Sequence, residues 1–223
     1  MIKSVSSFQD LISTPFHRNL NAICWSRALM GNFSEIINQV KLVENMAELS
    51  PDELLGFQLS GAGQLARDIL LNDLQLMKNH GASPILNVIR AYERDERDSF
   101  FPTDVYSFHV DCSPIETDTF LCTYHGEPSE ILPNLEAEQK ILIPRIRHEL
   151  KRKFPGTEME FESYLKENFF DLHYQPIVNA RPISLGVGNL WKLAVDHPQS
   201  QTIPCVHRAP MEKNGEKRLL LIC

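Results

Sequence analysis

Val105-Tyr106-Ser107-Phe108-His109-Val110-Asp111 is the stretch on which the fold turns. It is rich in β-branched and aromatic residues, as strands are, and it carries an imidazole and a carboxylate two positions apart. Side chains two apart on a strand leave the same face, so His109 and Asp111 form a two-point claw. With 8 His and 11 Asp in 223 residues, an H-x-D tripeptide arises by chance about 0.4 times. The tripeptide therefore gains its weight from its setting.

That setting lies downstream. Residues 202–207 and 218–222 read as strands, and Asn214-Gly215 between them is a strong hairpin signal. In a hairpin with an even loop, residues an odd distance apart share a face, and 218 − 207 is 11. His207 and Arg218 would then face one cavity, whereas a one-residue bulge would turn Arg218 outward. Two imidazoles and a carboxylate can occupy one face of an octahedral metal and leave three positions open, as non-haem Fe(II) oxygenases require. A nearby guanidinium can clamp a carboxylate with two parallel hydrogen bonds. A rival claw, His125-Gly126-Glu127, ranks lower because Gly126 and Pro128 take the chain out of the strand. His17, His80, His148, His173 and His197 are placed in helix ends or loops, where solvation is expected.

Around these motifs the chain divides into blocks. Residues 20–27 read as an early strand, after which Phe33, Ile36, Ile37, Val40, Val43 and Met46 recur at helical spacing. Ser50-Pro51-Asp52-Glu53 is a helix start with a capping box, and a further helix is expected over 64–80, stopped by Gly81. From Pro84 the pattern becomes β, with strands over 85–92, 105–111 and 119–124 and a charged loop at 93–98. Residues 135–171 return to helix, with Pro144 a kink or break and Phe154-Pro155-Gly156 a stop before a helix capped by Thr157. Strands resume over 183–195. The expected architecture is one α+β domain over 1–223, with a jelly-roll core from 84–134 and 172–223. A mainly helical part, 1–83, packs on that core, and 135–171 forms a helical insertion.

Composition excludes several classes. The net charge of −7 disfavours sequence-independent binding to nucleic acid or anionic membrane. Lys140, Arg145, Arg147, Lys151, Arg152 and Lys153 form a local basic run, read first as a solvated helix face with its cations near the C-terminus and second as a grip for phosphate or an acidic partner. Five cysteines, odd in number and without a C-x-x-C pair, argue against a disulfide framework or a Cys-type zinc site. No run has the length of a signal peptide or a membrane span, so a reducing cytoplasm is the expected location.

The order H-x-D, long gap, His, then Arg some ten residues on resembles the Fe(II)/2-oxoglutarate-dependent dioxygenase superfamily, whose fold is a double-stranded β-helix. The segments at 108–111, 121–133, 206–210 and 218–221 are also similar to a bacterial family described only as a domain of unknown function. The likeness covers about residues 84–223. It implies that His109, Asp111 and His207 are iron ligands and that Arg218 holds the distal carboxylate of 2-oxoglutarate. Ser129 falls where relatives place a Thr hydroxyl that assists the arginine, and Ile131 where the bacterial family has an aromatic residue. The implied reaction consumes O2 and 2-oxoglutarate and hydroxylates or demethylates an unknown substrate.

Two other readings stand beside this one. A cupin-like protein with a redox-inert metal would use the same set of two imidazoles and a carboxylate, with Arg218 an ordinary salt-bridge partner. A non-catalytic binding module would dock a partner on the basic run or the helical N-terminal third. A nucleophile built from Cys205 and His207 lacks an orienting third group.

Overall fold

The computed structural model describes residues 2–95, 100–211, 213 and 215–223. The first part of the chain runs β1 (Ile2–Val5), α1 (Phe8–Ser13), β2 (Ala22–Trp25), α2 (Phe33–Gln39), β3 (Met46–Glu48), α3 (Pro51–Gly56) and α4 (Gly61–Asn79). The middle runs β4 (Ile85–Ile89), β5 (Phe108–His109), β6 (Asp118–His125), β7 (Glu130–Ile131), β8 (Ala137–Gln139), α5 (Pro144–Lys153) and α6 (Glu158–Glu167). The last part holds β9 (His173–Pro176), β10 (Ile183–Ser184), β11 (Leu190–Ala194), β12 (His207–Arg208) and β13 (Arg218–Ile222).

The strands form two sheets: seven in the order β1-β2-β11-β6-β13-β4-β3 and six in the order β10-β7-β12-β5-β9-β8. All neighbours pair antiparallel except β1 and β2. Strand alternation sorts the larger sheet into two faces. Ile23, Val88, Phe120, Cys122, Tyr124, Leu190, Leu219 and Leu221 pack against the apolar stripes of α1–α4 through Leu11, Ile36, Leu54, Leu70 and Met77. The opposite face meets the smaller sheet through Cys24, Ile89, Leu121, Trp191, Leu193 and Leu220 on one side and Ile131 and Cys205 on the other. Strand β6 is buried on both faces, from Thr119 to Tyr124 without a break. The α5–α6 segment has its own small core of Ile146, Leu150, Phe161 and Leu165, closed by Phe101 and Phe170.

The result is a mixed α+β fold of two antiparallel-rich sheets, and it departs from the sequence reading in instructive places. The helix expected through Met46 stops at Gln39; Val43 is 98% exposed, and Met46 opens β3, which pairs with the edge of β4. The N-terminal third thus supplies three strands to the larger sheet as well as helices. The strand expected over 183–195 is two strands in different sheets. Gly186 and Gly188 turn the chain between them at φ +71° and +85°, a region that costs a residue with a Cβ. Within the expected helical insertion, Ala137–Gln139 joins β9 instead, and Pro144 starts α5 rather than kinking a helix, as its missing N–H permits. The expected hairpin between His207 and Arg218 does not form: β12 pairs with β5 and β7, while β13 pairs with β4 and β6 in the other sheet. Asn214 of the hairpin signal, like part of the loop at 93–98, lies outside the described residues. Among the described residues no helix is long and apolar enough to cross a membrane.

Candidate metal centre

Two paired strands, β5 with its continuation and β12, assemble the site. Register pairs His207 of β12 with His109 of β5, and cross-strand partners share a face. That face is the inner one, because Phe108, Val110 and Val206 pack together on the outer side. Asp111 lies just past the end of β5, where Val110 N–H to Leu172 O (3.0 Å) and Asp196 N–H to Asp111 O (2.8 Å) keep the chain extended. It therefore shares the side of His109 despite lying outside the paired strand.

The geometry suits a cation. His109 Nε2 lies 3.7 Å from Asp111 Oδ1 and His207 Nε2 lies 3.6 Å from Asp111 Oδ2, with the imidazole centroids 4.6 Å apart. These three are the only His, Cys, Asp or Glu group among the described residues whose ligand atoms all lie within 4.8 Å of one another. Cis ligands at ~2.1 Å from a metal are separated by roughly 3 Å, so the site is within about 1 Å of closing on an ion. His109 Nδ1 meets Ser107 O at 2.8 Å and His207 Nδ1 meets Cys205 O at 3.2 Å. A carbonyl can only accept, so each Nδ1 carries the proton and each Nε2 presents its lone pair to the shared centre. Burial, and then His207, push the His109 imidazole down to about 4, which leaves it neutral and ligand-ready at neutral pH. Burial works to raise the Asp111 carboxyl, but His207, the Thr119 hydroxyl and His109 outweigh it and hold the group below its usual value. Thr119 Oγ1 donates to Asp111 Oδ2 at 2.5 Å and fixes the carboxylate.

Arg218 enters the same inter-sheet space from the other sheet. It pairs with Ile89 on β4 and lies two residues before Leu220, both members of the inter-sheet core. Its Nη2 donates to Ser129 Oγ at 2.7 Å and Thr123 Oγ1 at 3.0 Å, and Nη1 reaches Tyr92 Oη at 3.4 Å. No carboxylate among the described residues pairs with it, its Nε has no partner, and the residue is 6% exposed. Burial therefore works against the guanidinium charge without a compensating anion. Arg27 shows the ordinary solution: buried on the helix-covered side of the larger sheet, it meets Asp73 at 2.7 Å, and Tyr124 Oη donates to the same carboxylate at 2.7 Å.

Ser129 thus sits against Arg218, as the sequence reading anticipated, and Thr123, Tyr92, Thr119 and His173 join the site without having been foreseen. His173, expected to be solvated, is 4% exposed and pairs in register with His109, giving a cross-strand row His207–His109–His173. The rival claw dissolves: Gly126 turns at φ +83°, and Glu127 pairs with Lys213. Half of the basic run is paired locally, with Arg147 on Glu162, Lys151 on Glu158 at 2.5 Å and Arg152 on Glu149 at 2.8 Å. All five cysteines are free thiols. Comparison of the chain with protein-family models, curated proteins and solved structures finds no match.

Two outcomes follow from this geometry. Thr119→Val removes the tether on Asp111 and is expected to weaken Mn(II) or Zn(II) binding about 10- to 100-fold in a chelator competition, without unfolding the protein; unchanged affinity would show that the tether is idle. Burial depresses His109 to about 4 and His173 to about 3, below the unfolded value of about 6.5. The unfolded chain binds more protons below that value, so the stability of the metal-free protein is full above pH 6.5 and is lost as pH falls toward 4. The slope is at most about 1.4 kcal/mol per pH unit for each imidazole. Urea unfolding in EDTA at pH 7, 6 and 5 reads it, and a flat profile would contradict neutral buried imidazoles.

Proposed function

We propose that the chain is a non-haem Fe(II)- and 2-oxoglutarate-dependent oxygenase that hydroxylates or demethylates its substrate, built on a double-stranded β-helix. The observation that carries this reading is Arg218, a buried guanidinium without a carboxylate partner among the described residues, on the inner side of the sheet that faces the one carrying the His109–Asp111–His207 cluster. An uncompensated buried charge is strongly unfavourable. A dianion ligated at the metal by one end and received by Arg218 at the other accounts for both features together. A redox-inert metal site and a binding module each leave the Arg218 charge unexplained.

Strand order supports the fold part of the reading. β4, β5, β6, β7, β10, β11, β12 and β13 change sheet at every step but β7 to β10, and they lie in the orders β4-β13-β6-β11 and β5-β12-β7-β10. That is the pattern of an eight-stranded jelly roll. β1, β2 and β3 extend the edges of one sheet, and β8 and β9 one edge of the other.

The donor set suits Fe(II): His109, His207 and Asp111 would hold the ion, two imidazoles and one carboxylate being the ligand types of non-haem iron oxygenases. With iron and 2-oxoglutarate bound, the group supplies the redox chemistry, in which 2-oxoglutarate, O2 and a substrate C–H yield succinate, CO2 and a C–OH. The protein's own residues orient and insulate. Ser107 O and Cys205 O fix the imidazole tautomers, and Thr119 fixes Asp111. Ser129, Thr123 and Tyr92 aim the Arg218 fork. Ile131, Cys205 and Leu220 line the space between the sheets, and that low-polarity setting strengthens a guanidinium–carboxylate pair.

Fe(II) and 2-oxoglutarate added anaerobically to the metal-free protein are expected to give the weak visible charge-transfer band of the chelate. His109→Ala should abolish the band, and Arg218→Ala should demand about 100-fold more 2-oxoglutarate, as the loss of a buried charged partner implies. Tight metal binding with no band would sink the oxygenase reading.

A further inference from the structure

Building on the oxygenase reading, we propose that the substrate presents a cationic amine to the pocket beside the metal ligands, and that His173 is the residue that receives it. The pocket, of about 190 Å³, is lined by His109, Asp111, Cys112, Thr103, Asp104 and His173, among others. His173 reaches it by register, since β9 places it beside His109 on the inner face, with ring centroids 5.9 Å apart. It is outside the three-residue metal cluster. Its Nδ1 is buried without a hydrogen-bond partner among the described residues, and the residue is 4% exposed. A buried polar nitrogen without a partner is unfavourable, and on a pocket wall beside a candidate reaction centre it is explained by a ligand that supplies the missing bond.

The charge around the pocket selects the ligand's sign. Asp104 stands on the wall. Asp196 is bridged to Cys112 and donates its N–H to Asp111 O. Asp171 immediately precedes Leu172, another wall residue. One opposing cation, Lys140, acts on both His173 and Asp104 while donating to Ser107 Oγ at 2.6 Å, and the three carboxylates of Asp104, Asp171 and Asp196 outnumber it. An ammonium both donates to an imidazole nitrogen and is attracted by carboxylates. An anion would be repelled by them, and an apolar group would leave Nδ1 unpartnered. Two walls of the pocket come from residues 103–105 and 172–173, so the segment after β4 and the end of the α6 region together shape the specificity.

The probes are n-butylammonium and its neutral counterpart n-butanol, followed by saturation-transfer NMR on the metal-free protein and by line broadening on the Mn(II)-loaded protein at pH 7. Butylammonium should receive at least 5-fold more transfer than butanol and be broadened by Mn(II). His173→Phe and Asp104→Asn should each reduce its transfer about 5-fold, while His173→Gln, which keeps a hydrogen-bonding group, retains most of it. Melting curves and Mn(II) affinity of each variant separate this effect from misfolding. Equal transfer to both probes, transfer unchanged in His173→Phe, or binding without Mn(II) broadening would overturn the proposal. Failure of the 2-oxoglutarate band with the butylammonium preference intact would instead remove the oxygenase reading and leave the cation pocket.

Discussion

The two-residue alternation of β6 governs the site. Thr119, Leu121 and Thr123 face the smaller sheet, while Phe120, Cys122 and Tyr124 face the helices. Thr119 holds the Asp111 carboxylate, and Thr123 holds the Arg218 guanidinium. They lie four residue steps apart on the strand, roughly 14 Å at 3.4 Å per residue. A shift of register by one residue would send both hydroxyls into the helical layer and bring Phe120 and Tyr124 into the site. Helices α1–α4, by covering the outer face through Phe120, Cys122 and Tyr124, make such a slip costly and so keep Thr119 and Thr123 on the inner face.

In the proposed site the two sheets would contribute opposite halves of one ligand environment. The smaller sheet provides bases, with His207, His109 and His173 in one cross-strand row; the larger provides the positive charge of Arg218. Since each half is anchored by backbone pairing, the distance between the His109–Asp111–His207 cluster and the guanidinium is set by sheet packing rather than by flexible loops. Tyr106 links the Arg218 end to the segment after β4, since its hydroxyl accepts from Tyr92 N at 2.7 Å while Tyr92 Oη meets Arg218.

Local signals in the sequence carried the metal claw, because H-x-D on a strand-like run needs only the period of two to place both groups together. Arg218 lay on the anticipated inner side for a different reason: it belongs to the opposite sheet, beside Thr123 and Ser129, and is not paired with His207 across a hairpin. Spacing parity cannot separate those cases, since both turn the two side chains toward the same space. The α3 capping box at Ser50 and Glu53 was legible because it is closed within four residues. The partnerships of Thr119, Thr123, Tyr92 and His173 were not, because each depends on pairing between distant strands. Residues 40–46 followed a helical pattern but left the helix because the edge of β4 takes Met46–Glu48 as a partner. Tertiary pairing outweighed local periodicity there.

The central claim is that the metal cluster and Arg218 are two ends of one dicarboxylate site. The most direct test compares binding of 2-oxoglutarate and 2-oxobutyrate, which share the chelating end but differ in the distal carboxylate, to Mn(II)-loaded wild type and Arg218→Gln by anaerobic calorimetry. A preference of about 100-fold for 2-oxoglutarate in the wild type, collapsing to a few-fold in the variant, is the expected result. Equal affinity for the two acids in the wild type, or a preference that survives in Arg218→Gln, would contradict it.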